Sequence, residues 1–241
     1  MAVGDVDVAA AEAVAAEVGA GAFAVALDIA DARQFAAFLD SAERRHGPLR
    51  VMVNNAGVDW VGPFHEDPTR SRDARSMSTC TARPLDPSWR SSGCFRAMSD
   101  INIASGAGRV PLPGSATYAA TKHGVVGLTE SLRMEYRGSG VAFTVVQPAE
   151  VETAMIDGLA RPRAVPVVTP DDVAAAVLDA VRRKRFEVWV PRSQAASAKL
   201  AALLPRAARE TLLRALGVTR IAGDADSNAR RAYHRRAFGR G

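Results

Sequence analysis

The chain has 241 residues, 48% hydrophobic and 24% charged: enough apolar sequence for one domain with a full core, and too much for general disorder. Its apolar runs carry charges or stop short of a bilayer crossing, and Met1-Ala2-Val3-Gly4-Asp5 has neither the basic start nor the apolar stretch of a secretion signal. The net charge of +5 splits into +11 from Arg182 onward (fifteen Lys or Arg against four Asp or Glu) and −6 before it; with no zinc-finger spacing and no aromatic-interleaved basic stripe, this reads as a solvated face with a frayed end, not a nucleic-acid site.

In chain order, Asp7 to Val18 is Ala-rich with Asp7 placed as a cap, which predicts a helix broken by Gly19 and Gly21. Phe23 to Leu27 predicts a buried strand, Asp31 to Arg45 a helix through Phe35, Phe38 and Leu39, and Leu49 to Val53 a strand running into Asn54-Asn55-Ala56-Gly57. Residues 67–100 break the pattern: seven Ser, six Arg, three Pro and both cysteines, without one Val or Ile, leave no helical stripe or strand alternation. Those cysteines, Cys80 and Cys94, have neither metal-ligand spacing nor the density of a disulfide scaffold, so a reducing, cytoplasmic setting without a metal site is expected.

The regular pattern then resumes. Tyr118 to Tyr136 predicts a helix, Val141 to Val146 a strand stopped by Pro148, and Thr169-Pro170-Asp171-Asp172 a strong helix start. Phe186 to Val190 predicts a last strand, and Ala195 to Leu204 and Arg206 to Leu216 two helices split by Pro205. Their leucines form a greasy stripe that suits packing on the domain or a partner subunit better than peripheral membrane contact. Strands alternating with helices through short links predict an α/β fold with a mostly parallel, doubly wound sheet.

The chemistry concentrates in Tyr118-Ala119-Ala120-Thr121-Lys122, with Ser105 thirteen residues upstream of the tyrosine. Tyr and Lys four apart on a helix share one face. An ammonium beside a phenol favours the phenolate, and a serine hydroxyl can hold a substrate oxygen while the tyrosine moves a proton to or from it. Asn54-Asn55-Ala56-Gly57, Pro148 and Thr153 all follow strands, where the carboxyl ends of a parallel sheet meet ligands. Taken singly, these are a surface pair, a turn and a cap.

Together these motifs resemble the short-chain dehydrogenase/reductase family over residues 1–66 and 101–191. The resemblance implies a Rossmann-like domain over residues 1–191, a basic helical extension over 192–241, and NAD(P)-dependent interconversion of a secondary alcohol and a ketone. It assigns Ser105, Tyr118 and Lys122 to catalysis, and Asp5, Asp28, Asn54, Ala56, Gly57, Pro148 and Thr153, with Tyr118 and Lys122 again, to the cofactor. An acidic Asp5 at a strand end favours NAD over NADP by repelling an extra phosphate. Val61, Gly62, Pro63, Phe64, Met155 and Ile156 could face a hydrophobic alcohol or ketone, or simply pack in the core.

Two departures from the family pattern carry further expectations. The family opens with a strand, a glycine-rich loop and a helix, so the resemblance implies an N-terminal truncation that removes this unit and with it cofactor binding. Residues 67–100 stand where a long helix with an active-site asparagine is usual, as two compensating reading-frame shifts would leave them. The competing reading is therefore a catalytically inactive fragment or an association-only subunit; the resemblance implies a homo-oligomer paired through the helix carrying Tyr118 and its neighbour, although that neighbour is the irregular segment.

Overall fold

Local capping explains where the helices begin. In the computed structural model, which describes residues 1–67, 98–161, 165–221 and 225–238, Asp7 accepts the Ala10 N–H and opens α1 (Val8–Val18). Asp31 accepts the N–H groups of Arg33 and Gln34 at 2.7 and 3.3 Å and opens α2 (Ala32–His46). α3 (Ala116–Glu135) carries the Tyr-Lys pair. Thr169 and Asp172 form a reciprocal capping box at the start of α4 (Pro170–Arg183). α5 (Ser193–Ala202), α6 (Arg206–Ala215) and α7 (Ser227–Phe238) complete the helices among the described residues.

Every strand pairing among the described residues is parallel. β1 (Ala2–Asp5) pairs with β2 (Phe23–Ala26), and β3 (Val51–Asn54), β4 (Ser99–Ile103), β5 (Ala142–Pro148) and β8 (Glu187–Val190) form a four-stranded sheet in that order. The two-residue strands β6 (Glu150–Val151) and β7 (Val167–Val168) make a small third pair. Ile101, Val146, Val188 and Val190 pack under α4, while Phe143 and Val145 face α3, so the central sheet is covered on both faces. α2 joins the two larger sheets through a core of Leu27, Phe35, Phe38, Leu39, Met52 and Met98.

The expected absence of an opening strand and helix is corrected. β1 and α1 are formed at the start of the chain, and β1 holds four residues in register with β2. The stretch looks too short and too polar for a strand because Gly4 and Asp5 fill half of it. Yet Gly4 is what lets β1 fit: a Cβ there would lie 2.5 Å from Leu27 Cδ2. The fold is thus Rossmann-like and mostly parallel with its N-terminal strand and helix in place. β3 is an edge of the four-stranded sheet, and Val51 and Val53 on it stay exposed.

Two further expectations change. The ends of the irregular segment 67–100 belong to the fold: Asp67 and Met98 are buried, and so are Ser99 and Asp100, which open β4; residues 68–97, with Cys80 and Cys94 and most of the proposed frame-shifted stretch, lie outside the described residues. The basic tail is not simply frayed, because it contributes α7 with Arg230 and Tyr233 buried. Of the leucine stripe Leu203, Leu204, Leu212, Leu213 and Leu216, Leu213 is buried, Leu204 half-buried and the other three exposed. Among the described residues no helix is long and apolar enough to cross a membrane.

Candidate active site

The polar residues singled out by the sequence line one edge of the molecule. Asp5 ends β1, Asp28 follows β2, Asn54 ends β3, Ser105 follows β4 and Pro148 ends β5. Each stands at the carboxyl end of a parallel strand, the edge where open α/β sheets meet ligands. Several already serve the backbone. Asp5 Oδ1 accepts the Asp7 N–H at 2.8 Å, Asp28 Oδ1 accepts that of Ala30 at 2.9 Å, and Thr153 Oγ1 donates to the Val151 carbonyl at 3.3 Å.

Ser105 is set by the turn it caps. Its Oγ accepts the Ala107 N–H at 3.1 Å, beginning the short 3-10 segment Gly106–Gly108. Gly108 is pressed on α3, since a Cβ there would meet the Lys122 carbonyl oxygen at 2.8 Å and Val126 Cγ2 at 3.1 Å. Beyond it Arg109 pins the turn, donating to Gln147 at 3.0 Å, Glu130 at 2.8 Å and Glu187 at 3.1 Å. The serine is therefore fixed from strand, helix and neighbouring strand at once.

Lys122 Nζ donates to the Ile103 carbonyl at 2.8 Å and lies 5.5 Å from the Tyr118 ring centroid. A Cβ at Gly57 would sit 3.8 Å from the same ammonium, so the Asn-Asn-Ala-Gly turn and the lysine adjoin, with Ala56 and Gly57 exposed to the edge. Tyr118, partly buried, has its phenol pushed well above the ordinary value, chiefly by burial and then by the Asp59 carboxylate. The Ser105 hydroxyl beside it works the other way, and Tyr233 raises it slightly further. The lowered phenol expected beside an ammonium is not found: burial dominates, and the Tyr118 phenol is held protonated.

Asn54 does more than end a strand. Its Nδ2 donates to Asp100 Oδ1 at 3.2 Å and Asn102 Oδ1 at 2.9 Å, and Asn102 Nδ2 donates to the same Asp100 oxygen at 2.7 Å. Burial pushes the Asp100 carboxyl up to about 7 against the pull of those two amides. Sequence reasoning missed this trio, and the i, i+2 polar alternation Asp100-Ile101-Asn102 was the signal available. It also missed Asp59 and Tyr233, which no local motif marks. Of the apolar candidates, Val61 and Ile156 are buried and Phe64 is exposed.

A doubly wound parallel sheet with a serine, a tyrosine and a lysine gathered at its carboxyl edge defines a nucleotide-dependent α/β enzyme class. The family model described as "short chain dehydrogenase" matches residues 1–163, and the chain belongs to that family. It is 38% identical over 149 residues to an inactive 2-(S)-hydroxypropyl-CoM dehydrogenase 2 of Xanthobacter autotrophicus, a match covering 61% of this chain and 65% of that protein. It is 30% identical over 165 residues to a 3-oxoacyl-[acyl-carrier-protein] reductase of Staphylococcus aureus, covering 62% and 63% respectively. The chain thus spans under two thirds of the length of these relatives.

Among solved structures, a short chain dehydrogenase/reductase from Burkholderia phymatum in complex with NAD shares the fold. The TM-score is 0.70 at 24% identity, over 83% of both chains. The expected loss of cofactor binding is corrected along with the missing unit on which it rested. The strand–turn–helix of residues 2–18 is formed, and the glycines of this region, Gly4, Gly19 and Gly21, are all placed. The family match itself begins at residue 1.

Proposed function

We propose that this protein is an NAD(P)-dependent oxidoreductase that interconverts a hydrophobic secondary alcohol and its ketone. The observation that carries the reading is the meeting of Ser105, Tyr118, Lys122 and Gly57 at one sheet edge. The edge suits a nicotinamide dinucleotide. A row of strand ends carries the Asp5 and Asp28 carboxylates toward one side, and the Lys122 ammonium beside Gly57, able to donate to ribose hydroxyls, lies on the other. When bound, the nicotinamide supplies the hydride chemistry.

The chain's own residues do the rest. Ser105 donates a hydrogen bond to the carbonyl oxygen and orients it. Tyr118, held protonated by burial and Asp59, gives its proton to that oxygen as charge develops in reduction, and takes it back in oxidation. Lys122 fixes the ribose and stands near enough to the tyrosine ring to stabilise a transient phenolate. Asn54, Ala56, Pro148 and Thr153 shape the cofactor edge. In this reading residues 1–191 are the catalytic unit, residues 192–241 its basic extension, and the setting cytoplasmic. The exposed leucines of α5 and α6 support self-association.

The test is reduction of a panel of ketones with NADH and NADPH, comparing the chain with Tyr118→Phe. The substitution should lower kcat by about 10²-fold or more while leaving cofactor affinity nearly unchanged. Equal rates would refute the assignment. A second reading, an inactive chain kept for association, is favoured by the 38% identical relative whose name calls it inactive. It predicts self-association with no turnover on any ketone in the panel.

A further inference from the structure

The basic C-terminal stretch places α7 against the two loops that follow β3 and β5. Arg230, only 3% exposed, spans them with one guanidinium. Its Nη2 donates to the Asp59 carbonyl at 3.1 Å, and its Nη1 to the Met155 carbonyl at 2.6 Å and, more weakly, to that of Asp157 at 3.5 Å. One turn on, the Tyr233 hydroxyl accepts the Asp59 N–H at 3.1 Å. The His234 imidazole stacks on the Trp60 indole, ring centroids 4.4 Å apart. At the other end the Gly158 carbonyl accepts the Asp226 N–H at 2.7 Å, and a Cβ on Gly158 would meet that of Ala229 at 2.8 Å.

We infer that α7 is the outer wall of the substrate site, and that Tyr233, held there by Arg230, sets the size of the ketone or alcohol that reaches Tyr118. The inference rests on the oxidoreductase reading and deepens it. The two bridged loops follow β3 and β5, which flank β4, and Ser105 follows β4. A substrate seated on Ser105 and Tyr118 therefore has Asp59–Trp60 on one side and Met155–Asp157 on the other, with α7 across both. The Tyr233 hydroxyl is bonded to the backbone of Asp59, the residue whose carboxylate acts on the Tyr118 phenol, so the helix stands on the same side of the sheet edge as that phenol. The Tyr233 ring is held on one face by the Arg230 guanidinium, 4.6 Å from its centroid, and at its hydroxyl by the Asp59 N–H, so a change in the bulk of this one side chain is what the wall would register.

The experiment is a size series, from a small methyl ketone to a bulky aryl ketone, on the full chain and its Tyr233→Ala and Tyr233→Trp variants. Turnover with NADH or NADPH and direct ketone binding by calorimetry are both measured. Tyr233→Ala should move the bulky-to-small preference in kcat/KM up by about tenfold, and Tyr233→Trp should move it down by a similar factor. Opposite shifts in one ratio cannot come from general loosening, which would lower both substrates together. Turnover with an unmoved preference overturns the wall and leaves the oxidoreductase reading standing. Binding that shifts with size, without turnover, keeps the wall and overturns that reading. Neither binding nor turnover overturns both.

Discussion

Tyr118 is held between opposing influences, and their balance predicts a direction for its chemistry. Burial and the Asp59 carboxylate push the phenol up, while the Ser105 hydroxyl pulls it down. A phenol held protonated is in the state that can donate to a developing alkoxide, but it must be deprotonated before alcohol oxidation can run. Asp59→Asn removes the negative charge with little change in shape, so the tyrosine should ionise at lower pH. The expected outcome is a pH profile for alcohol oxidation displaced to lower pH, with oxidation severalfold faster at pH 8, and ketone reduction at neutral pH little altered. Profiles that superimpose would show that Asp59 serves the loop and not the proton.

The turn carrying Ser105 and the helix carrying Lys122 meet at Gly108 with no room for another carbon. Gly108→Ala must push the Gly106–Gly108 segment off α3, because the nearest atom is a backbone carbonyl that cannot swing aside. Overpacking of this kind costs about 1–3 kcal/mol, read by urea unfolding, and kcat should fall with it because Ser105 and Lys122 move apart. Unchanged stability would mean the contact is slack. Elements whose signals are local were legible in the sequence: Asp7, Asp31 and Thr169 announce their helices because each cap lies within three residues of its amides. The Ser-Tyr-Lys set was legible for the same reason, being spaced by one helix and one turn. Elements that depend on distant partners were not. β1 becomes a strand only by pairing with β2. Ser99 and Asp100 look foreign to a core until Asn54 is brought to them across 46 residues. α7, with four arginines in twelve residues, reads as solvated, yet one of them is buried against carbonyls more than seventy residues away.

The central sheet carries a titratable group in its interior, and this ties the stability of the fold to pH. Asp100 is fully buried, and its carboxyl is pushed up from the usual 3.8 to about 7 by burial, with the amides of Asn102 and Asn54 opposing. Below pH 4 the carboxyl is protonated in both folded and unfolded chains and imposes no penalty. Between 4 and 7 the folded chain keeps a proton that the unfolded chain releases, so stability falls as pH rises through this window. The loss from this one group is on the order of 4 kcal/mol at most. Above pH 7 the loss is complete and the sheet holds a charge with two amide donors around one oxygen. Asp100→Asn keeps an oxygen for those donors and removes the ionisation. Its urea-unfolding free energy should therefore fall less between pH 5 and pH 8 than that of the parent chain, leaving the variant the more stable of the two at pH 8. The same trio includes Asn54, which leads into the proposed cofactor edge, so ionisation of Asp100 places a charge in the sheet directly beneath the candidate site. Cofactor affinity in the parent chain should weaken over the pH window in which stability declines, and in the variant it should not. Parallel pH dependence in the two proteins, in stability or in cofactor affinity, would remove Asp100 as the cause.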